Sequence, residues 1–167
     1  MSKPLTGMPE APEIAADSWV NTPHPLTIAG LRGQVVLLHA FQMLCPGCIL
    51  HGTPQAQNIH RGFASRGVQV IGLHSVFENH TVMGRAALEV FVHEFRLTFP
   101  IAVDRPGLAD QPIPQTMQAY GLRGTPSVVL IDRAGRVRLN HFGQIDDLEL
   151  GARLGGLLAE PAQSQDD

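Results

Sequence analysis

One stretch constrains the rest of this chain. Val35-Val36-Leu37-Leu38-His39-Ala40-Phe41 leads through Gln42-Met43-Leu44 into Cys45-Pro46-Gly47-Cys48. The first part is almost unbroken apolar sequence and β-branched at its start, the pattern of a strand buried on both faces of a largely parallel sheet. A helical pattern follows the cysteines, so both sulfurs stand where a strand turns into a helix. Unpaired backbone N–H groups and the macrodipole at a helix N-terminus favour an anion, which marks Cys45 as the candidate nucleophile. Cys48, one turn further in, is close enough to close a disulfide with it. Such a pair performs exchange: a thiolate attacks a disulfide, a mixed disulfide forms, and the second thiol resolves it.

A CxxC can instead be half of a zinc site, but a structural zinc takes four ligands. The chain has two cysteines and eight histidines, and only His74 and His80 have the spacing of a ligand pair. They lie beyond an expected helix and strand, where a compact zinc finger would not place them. A length of 167 residues suits one domain, 1–167, with a core that needs no staples. The net charge of −3 argues against a nucleic-acid or anionic-membrane surface. Residues 1–17 contain Lys3 but no apolar run, so they are expected as an extended leader rather than a signal peptide. No segment is long and apolar enough to span a bilayer. The expected location is cytoplasmic, where a paired CxxC is catalytic more often than structural.

Leu37-Leu38-His39-Ala40-Phe41 before Cys45-Pro46-Gly47-Cys48 resembles the active-site strand and CxxC of the thioredoxin superfamily. Gly124-Thr125-Pro126-Ser127-Val128-Val129-Leu130-Ile131-Asp132 resembles its cis-proline strand and following turn. The branch it looks most like is the redoxin/TlpA-like thiol-disulfide oxidoreductases. Val70-Ile71-Gly72-Leu73-His74-Ser75 is similar to the corresponding strand end in DipZ-type C-terminal domains. The resemblance covers the chain from about Trp19 to Leu158. Two residues depart from it: Leu44 stands where many relatives carry Trp, and His39 where thioredoxins carry a buried Asp and TlpA-like proteins often Asn. The implied fold is thioredoxin-like α/β, a central mixed sheet with flanking helices and an added N-terminal hairpin.

That hairpin is expected from Trp19-Val20 and Leu26-Thr27-Ile28 around Asn21-Thr22-Pro23-His24-Pro25. After the cysteines, Ile49, Ala56, Ile59 and Phe63 mark one face of a helix to about Arg66, interrupted near Pro54 and ended by Gly67. Strands are expected at 68–74, 99–103, 127–132 and 136–141, the last two around a Gly135 turn. A helical stripe falls between Thr81 and Leu97, and one or two turns at 115–120. Asp146 or Asp147 can cap a last helix carrying Leu150, Leu154, Leu157 and Leu158. Residues 160–167 are expected as a polar, flexible tail.

The expected activity is thiol-disulfide exchange with protein or small-molecule disulfides, supplied with electrons by another thiol system. It needs no cofactor and no metal. Cys45 is the expected nucleophile and Cys48 the resolving thiol. Spacing alone leaves Pro126 open as a strand-start proline. The resemblance implies instead a cis-proline facing the sulfurs, with Thr125 presenting backbone groups to a substrate chain. Leu44 and Pro46 are expected at the substrate rim. His39, buried among apolar neighbours, is either a proton acceptor for Cys48 or a core histidine bonded to backbone. His74 could edge the site or be a solvated loop residue. Two other functions remain open. A thiol peroxidase shares the scaffold, but Leu38 and Gln42 occupy the places of the peroxiredoxin Pro and Thr. A copper carrier would use Cys45 and Cys48 with a histidine such as His39, His51 or His74.

Overall fold

The computed structural model describes residues 8–162, and all six of their strands join one sheet in the order β1-β4-β3-β2-β5-β6. The strands are β1 (Ala16–Val20), β2 (Val35–Phe41), β3 (Val68–His74), β4 (Ile101–Asp104), β5 (Ser127–Ile131) and β6 (Val137–Phe142). The helices are α1 (Thr53–Phe63), α2 (Arg85–Glu94), α3 (Gln115–Ala119) and α4 (Asp147–Ala159). Every residue of β2 is buried, because it lies between β3, paired parallel, and β5, paired antiparallel. Its alternate residues feed two cores. Val35, Leu37 and Phe41 pack with apolar residues of α1, α2 and α4, while Val36, Leu38 and Ala40 pack with Met117 of α3 and with Ile28, Leu31 and Tyr120.

The N-terminal hairpin is not formed. β1 pairs antiparallel with β4, Trp19 opposite Ala102 and Val20 opposite Ile101, and Leu26–Ile28 is not a strand. Pro23 and Pro25 have no N–H to give to a ladder. The Glu13 carboxylate takes the Ile28 and Ala29 N–H groups at 2.8 Å each, which sets up a 3-10 turn at Ala29–Leu31. Asn21, at φ 61, reaches across to the Leu97 and Phe99 carbonyls. The turn after β1 is thereby tied to the approach of β4.

The expected leader is also more than a leader. Residues 1–7 lie outside the described part, but Glu10 bridges Arg136, Ala11 N–H donates to Gly135 O, and the Tyr120 hydroxyl donates to Pro12 O at 2.6 Å. The tail expectation falls mostly on residues 163–167, outside the described residues. Glu160 itself receives both Arg138 nitrogens at 2.7 and 2.8 Å. Asp146 caps α4, accepting from the Leu148 and Glu149 N–H groups. Gly135 turns the β5–β6 hairpin at φ 80.

Candidate active site

The helical segment that starts at Pro46 is not uniform. Cys48–Gly52 form a π-helical turn in which Thr53 N–H donates to Cys48 O, and only then does α1 run regularly to Phe63. Pro54 follows directly on this wide turn, so its missing N–H falls where the regular i→i−4 ladder is already interrupted. The expected interruption appears as one wide turn directly behind the two cysteines. A 3-10 turn at Ala64–Arg66 and Gly67 at φ 90 end the segment.

The two sulfurs have different surroundings. Cys45 is half-buried and Cys48 is fully buried, and both are free thiols. Cys48 N–H donates to Cys45 Sγ at 3.4 Å, and Cys45 Sγ donates to Thr125 O at 3.4 Å. Burial and then the Cys45 sulfur push the Cys48 thiol up to about 12, against the pull of the Gln42 backbone and the Thr125 hydroxyl. The buried sulfur is thus held as a thiol, beneath one that a substrate can reach.

The Thr125–Pro126 peptide is cis, and Pro126 packs against the start of the helical segment. A Cβ added at Gly47 would stand 3.2 Å from Pro126 Cδ, and one at Gly52 3.1 Å from Pro126 Cβ. Glycine at these two positions lets the proline loop approach the cysteines. Leu44 is 56% exposed and Pro46 is also exposed, so both stand beside Cys45 at the surface. Met43, its neighbour, is buried instead.

His39 points from β2 toward α1. Its Nε2 bonds Thr53 Oγ1 at 3.0 Å, its ring stacks on Phe41 at 5.2 Å, and its Nδ1 is buried without a partner. Gly52 makes room for it, since a Cβ there would come within 2.6 Å of His39 Cε1. Its partner is thus a side chain rather than backbone. Burial lowers its pKa to about 3, so the imidazole is neutral. His74 is no solvated loop residue. It ends β3, is 1% exposed and packs on Phe41, and burial lowers its pKa to about 4. His51 is exposed on the π-helical turn. Among the described residues no three His, Cys, Asp or Glu side chains are grouped to hold a metal.

Two residues of the site were given no structural role in the sequence reading. Thr53 is the partner of His39. Gln42 is 1% exposed and joins three loops. Its carbonyl accepts Cys45 N–H, its Oε1 accepts Phe77 N–H, and its Nε2 reaches Thr125 Oγ1 and Glu78 Oε1. A polar residue placed directly after a fully apolar strand, at the end where α/β sheets gather function, was the available clue.

A strand–CxxC–helix unit on a mixed sheet, faced by a cis-proline loop, defines a thioredoxin-like protein with a dithiol site. The redoxin family pattern matches residues 6–150, and the chain belongs to that family. Solved structures agree in fold. The thioredoxin-like superfamily protein SPOA0173 is 49% identical, with a TM-score of 0.89 over 93% of this chain and 99% of that one. A thiol-disulfide isomerase from Corynebacterium glutamicum is 54% identical, with a TM-score of 0.88 over 94% and 100%. Thiol-disulfide oxidoreductase ResA of Halalkalibacterium halodurans is 28% identical over 68% of this chain and 56% of its own length. The chain thus spans little more than half of that relative. No helix among the described residues is long and apolar enough to cross a membrane.

Proposed function

We propose that the protein is a thiol-disulfide oxidoreductase in which the Cys45-Pro46-Gly47-Cys48 dithiol exchanges with protein disulfides. The observation that carries this reading is the asymmetry of the pair: a half-buried Cys45 beneath the Thr125 carbonyl, and a fully buried Cys48 behind it. The Cys45 thiolate attacks one sulfur of the substrate disulfide. A Cys45–substrate disulfide forms and the other substrate sulfur leaves as a thiolate, which takes a proton. Cys48, deprotonated, then attacks Cys45 Sγ, and the second substrate thiolate departs. The substrate gains two electrons and two protons, and the protein is left with a Cys45–Cys48 disulfide. A second thiol system returns those electrons, and in the reverse direction the same steps oxidise a dithiol.

Thr125, next to Pro126, offers backbone groups to an extended substrate segment, with Leu44 and Pro46 contacting it from the other side of Cys45. His39 enters as a transient proton acceptor for Cys48. Its neutral ring has one nitrogen on Thr53 and the other without a partner. With pKa values of about 3 and about 12, the proton does not rest on His39. Acceptance has to accompany the movement of charge from Cys48 to the departing sulfur.

Two experiments test the reading. A reduced Cys48→Ser variant exposed to disulfide-containing proteins should accumulate mixed disulfides through Cys45, while Cys45→Ser should accumulate none. Consumption of peroxide without disulfide exchange would favour a peroxidase instead. His39→Asn should slow resolution of a preformed mixed disulfide by about 10²-fold at neutral pH, the usual size of general-base catalysis, and leave the first attack by Cys45 less affected. A resolution rate within about twofold of wild type would reduce His39 to a packing role.

A further inference from the structure

Phe142 ends β6 with 48% of its surface exposed, and the cis-proline loop holds it in place. It stands opposite Ser127 in the β5–β6 pairing, and the next residue, Gly143, donates its N–H to Pro126 O at 2.8 Å. The ring lies against Gly124, where an added Cβ would come within 2.7 Å of Phe142 Cε2. Gly124 is fixed in turn, since its carbonyl accepts the Ser127 hydroxyl at 2.7 Å. Over the ring, 5.7 Å from its centroid, stands the guanidinium of the exposed Arg123. Among the described residues Arg123 has no hydrogen bond or ion pair beyond this contact, so its fork of N–H donors is unoccupied.

Arg123 precedes Thr125 by two residues, so their Cα atoms are at most about 7.6 Å apart. Thr125 O is the group that takes Cys45 Sγ at 3.4 Å. An extended segment lying along Thr125 advances about 3.3 Å per residue, which brings residues about two from its disulfide cysteine to Arg123. We propose that Arg123, seated on Phe142, selects substrate segments that carry a carboxylate side chain about two residues from the attacked cysteine. The inference rests on the exchange reading above and names the class of substrate that site prefers.

The planar fork of a guanidinium matches a carboxylate with two parallel N–H···O bonds. Stacking on an aromatic face orients the fork and leaves its edge free. Glu78 brings the opposite charge to the same loop: its Oε1 lies 3.5 Å from Gln42 Nε2, which is 3.4 Å from Thr125 Oγ1. A substrate acid beside Glu78 is repelled and one beside Arg123 is attracted, so the preference depends on which side of the cysteine the acid stands. The net charge of −3 repels acidic peptides at long range, so a preference for them has a local source.

The test uses the reduced whole chain with Cys48→Ser, and short peptides whose single cysteine is joined to 2-thiopyridine. The Cys45 thiolate attacks the peptide sulfur, the peptide–pyridyl S–S bond breaks and a Cys45–peptide disulfide forms. Pyridine-2-thiolate leaves and takes up a proton as 2-thiopyridone, which is followed by absorbance in stopped flow. The peptides carry Glu or Gln two residues before or two residues after the cysteine. At low salt one of the two Glu peptides should react about three- to fivefold faster than its Gln counterpart, the upper range for an exposed ion pair. The ratio should fall close to one in about 1 M salt, where charges are screened within about 3 Å. Arg123→Gln should bring it to one at low salt, and Phe142→Leu, which removes the aromatic seat, should about halve it. Four results overturn the inference: no preference for either Glu peptide, a preference that survives Arg123→Gln, one that high salt leaves unchanged, or one that Phe142→Leu leaves unchanged. Failure of every peptide, Glu and Gln alike, to release thiopyridone overturns the exchange reading itself, whereas equal release from all of them overturns only the inference.

Discussion

Lowering the pH from about 7.5 to about 5 is expected to remove roughly 4 kcal/mol of folding stability, through two buried histidines. His39 and His74 are 0% and 1% exposed, and each has a ring nitrogen without a partner. Burial holds their folded pKa values at about 3 and about 4, below the ordinary 6.5. Between those values and 6.5 the unfolded chain binds more protons than the folded one, so stability rises with pH across the window and is lost as pH falls. At pH 5 each imidazole contributes roughly 2 kcal/mol to the loss, a large share of the 5–15 kcal/mol typical of a domain. His60, also lowered by burial, acts in the same direction. Asp104, whose carboxyl is raised by burial, acts oppositely as pH falls into the carboxylate range. Urea unfolding at the two pH values measures the loss, and His39→Asn should remove about half of it. A pH dependence unchanged by both His39→Asn and His74→Asn would contradict the neutral, buried assignment.

The histidines also show what the sequence carried and what it withheld. The apolar run around His39 was enough to bury it, because a strand with no polar alternation has no solvent face. Its partner was not legible. Thr53 meets His39 only because the chain makes a π-helical turn at Cys48–Gly52 before α1, and turn widths are not written in hydrophobic periodicity. His74 ended the expected strand but was left open between the edge of the site and a solvated loop, because its burial comes from Phe41 and Val103, its partners in the sheet, which lie on distant strands.

The fold was legible because its two motifs and the strand–helix alternation agree with one another. The N-terminal element was not. Trp19-Val20 read correctly as a strand, but its partner depended on Glu13 capturing the Ile28 and Ala29 N–H groups, a contact between loops. Gln42 was read only as a departure from the peroxiredoxin pattern, since its structural role lies in the loops from β3 and toward β5 that converge on it.

The central claim is that an accessible Cys45 begins exchange and a buried Cys48 completes it. Timed alkylation of the reduced protein with iodoacetamide near pH 7, followed by mass mapping of the two sites, tests it most directly. With a pKa of about 12, Cys48 is thiolate in only about one part in 10⁵ at that pH, and its sulfur lies beneath the chain. The account predicts that Cys45 is fully modified while Cys48 stays unlabelled. Equal labelling, or earlier labelling of Cys48, would contradict it.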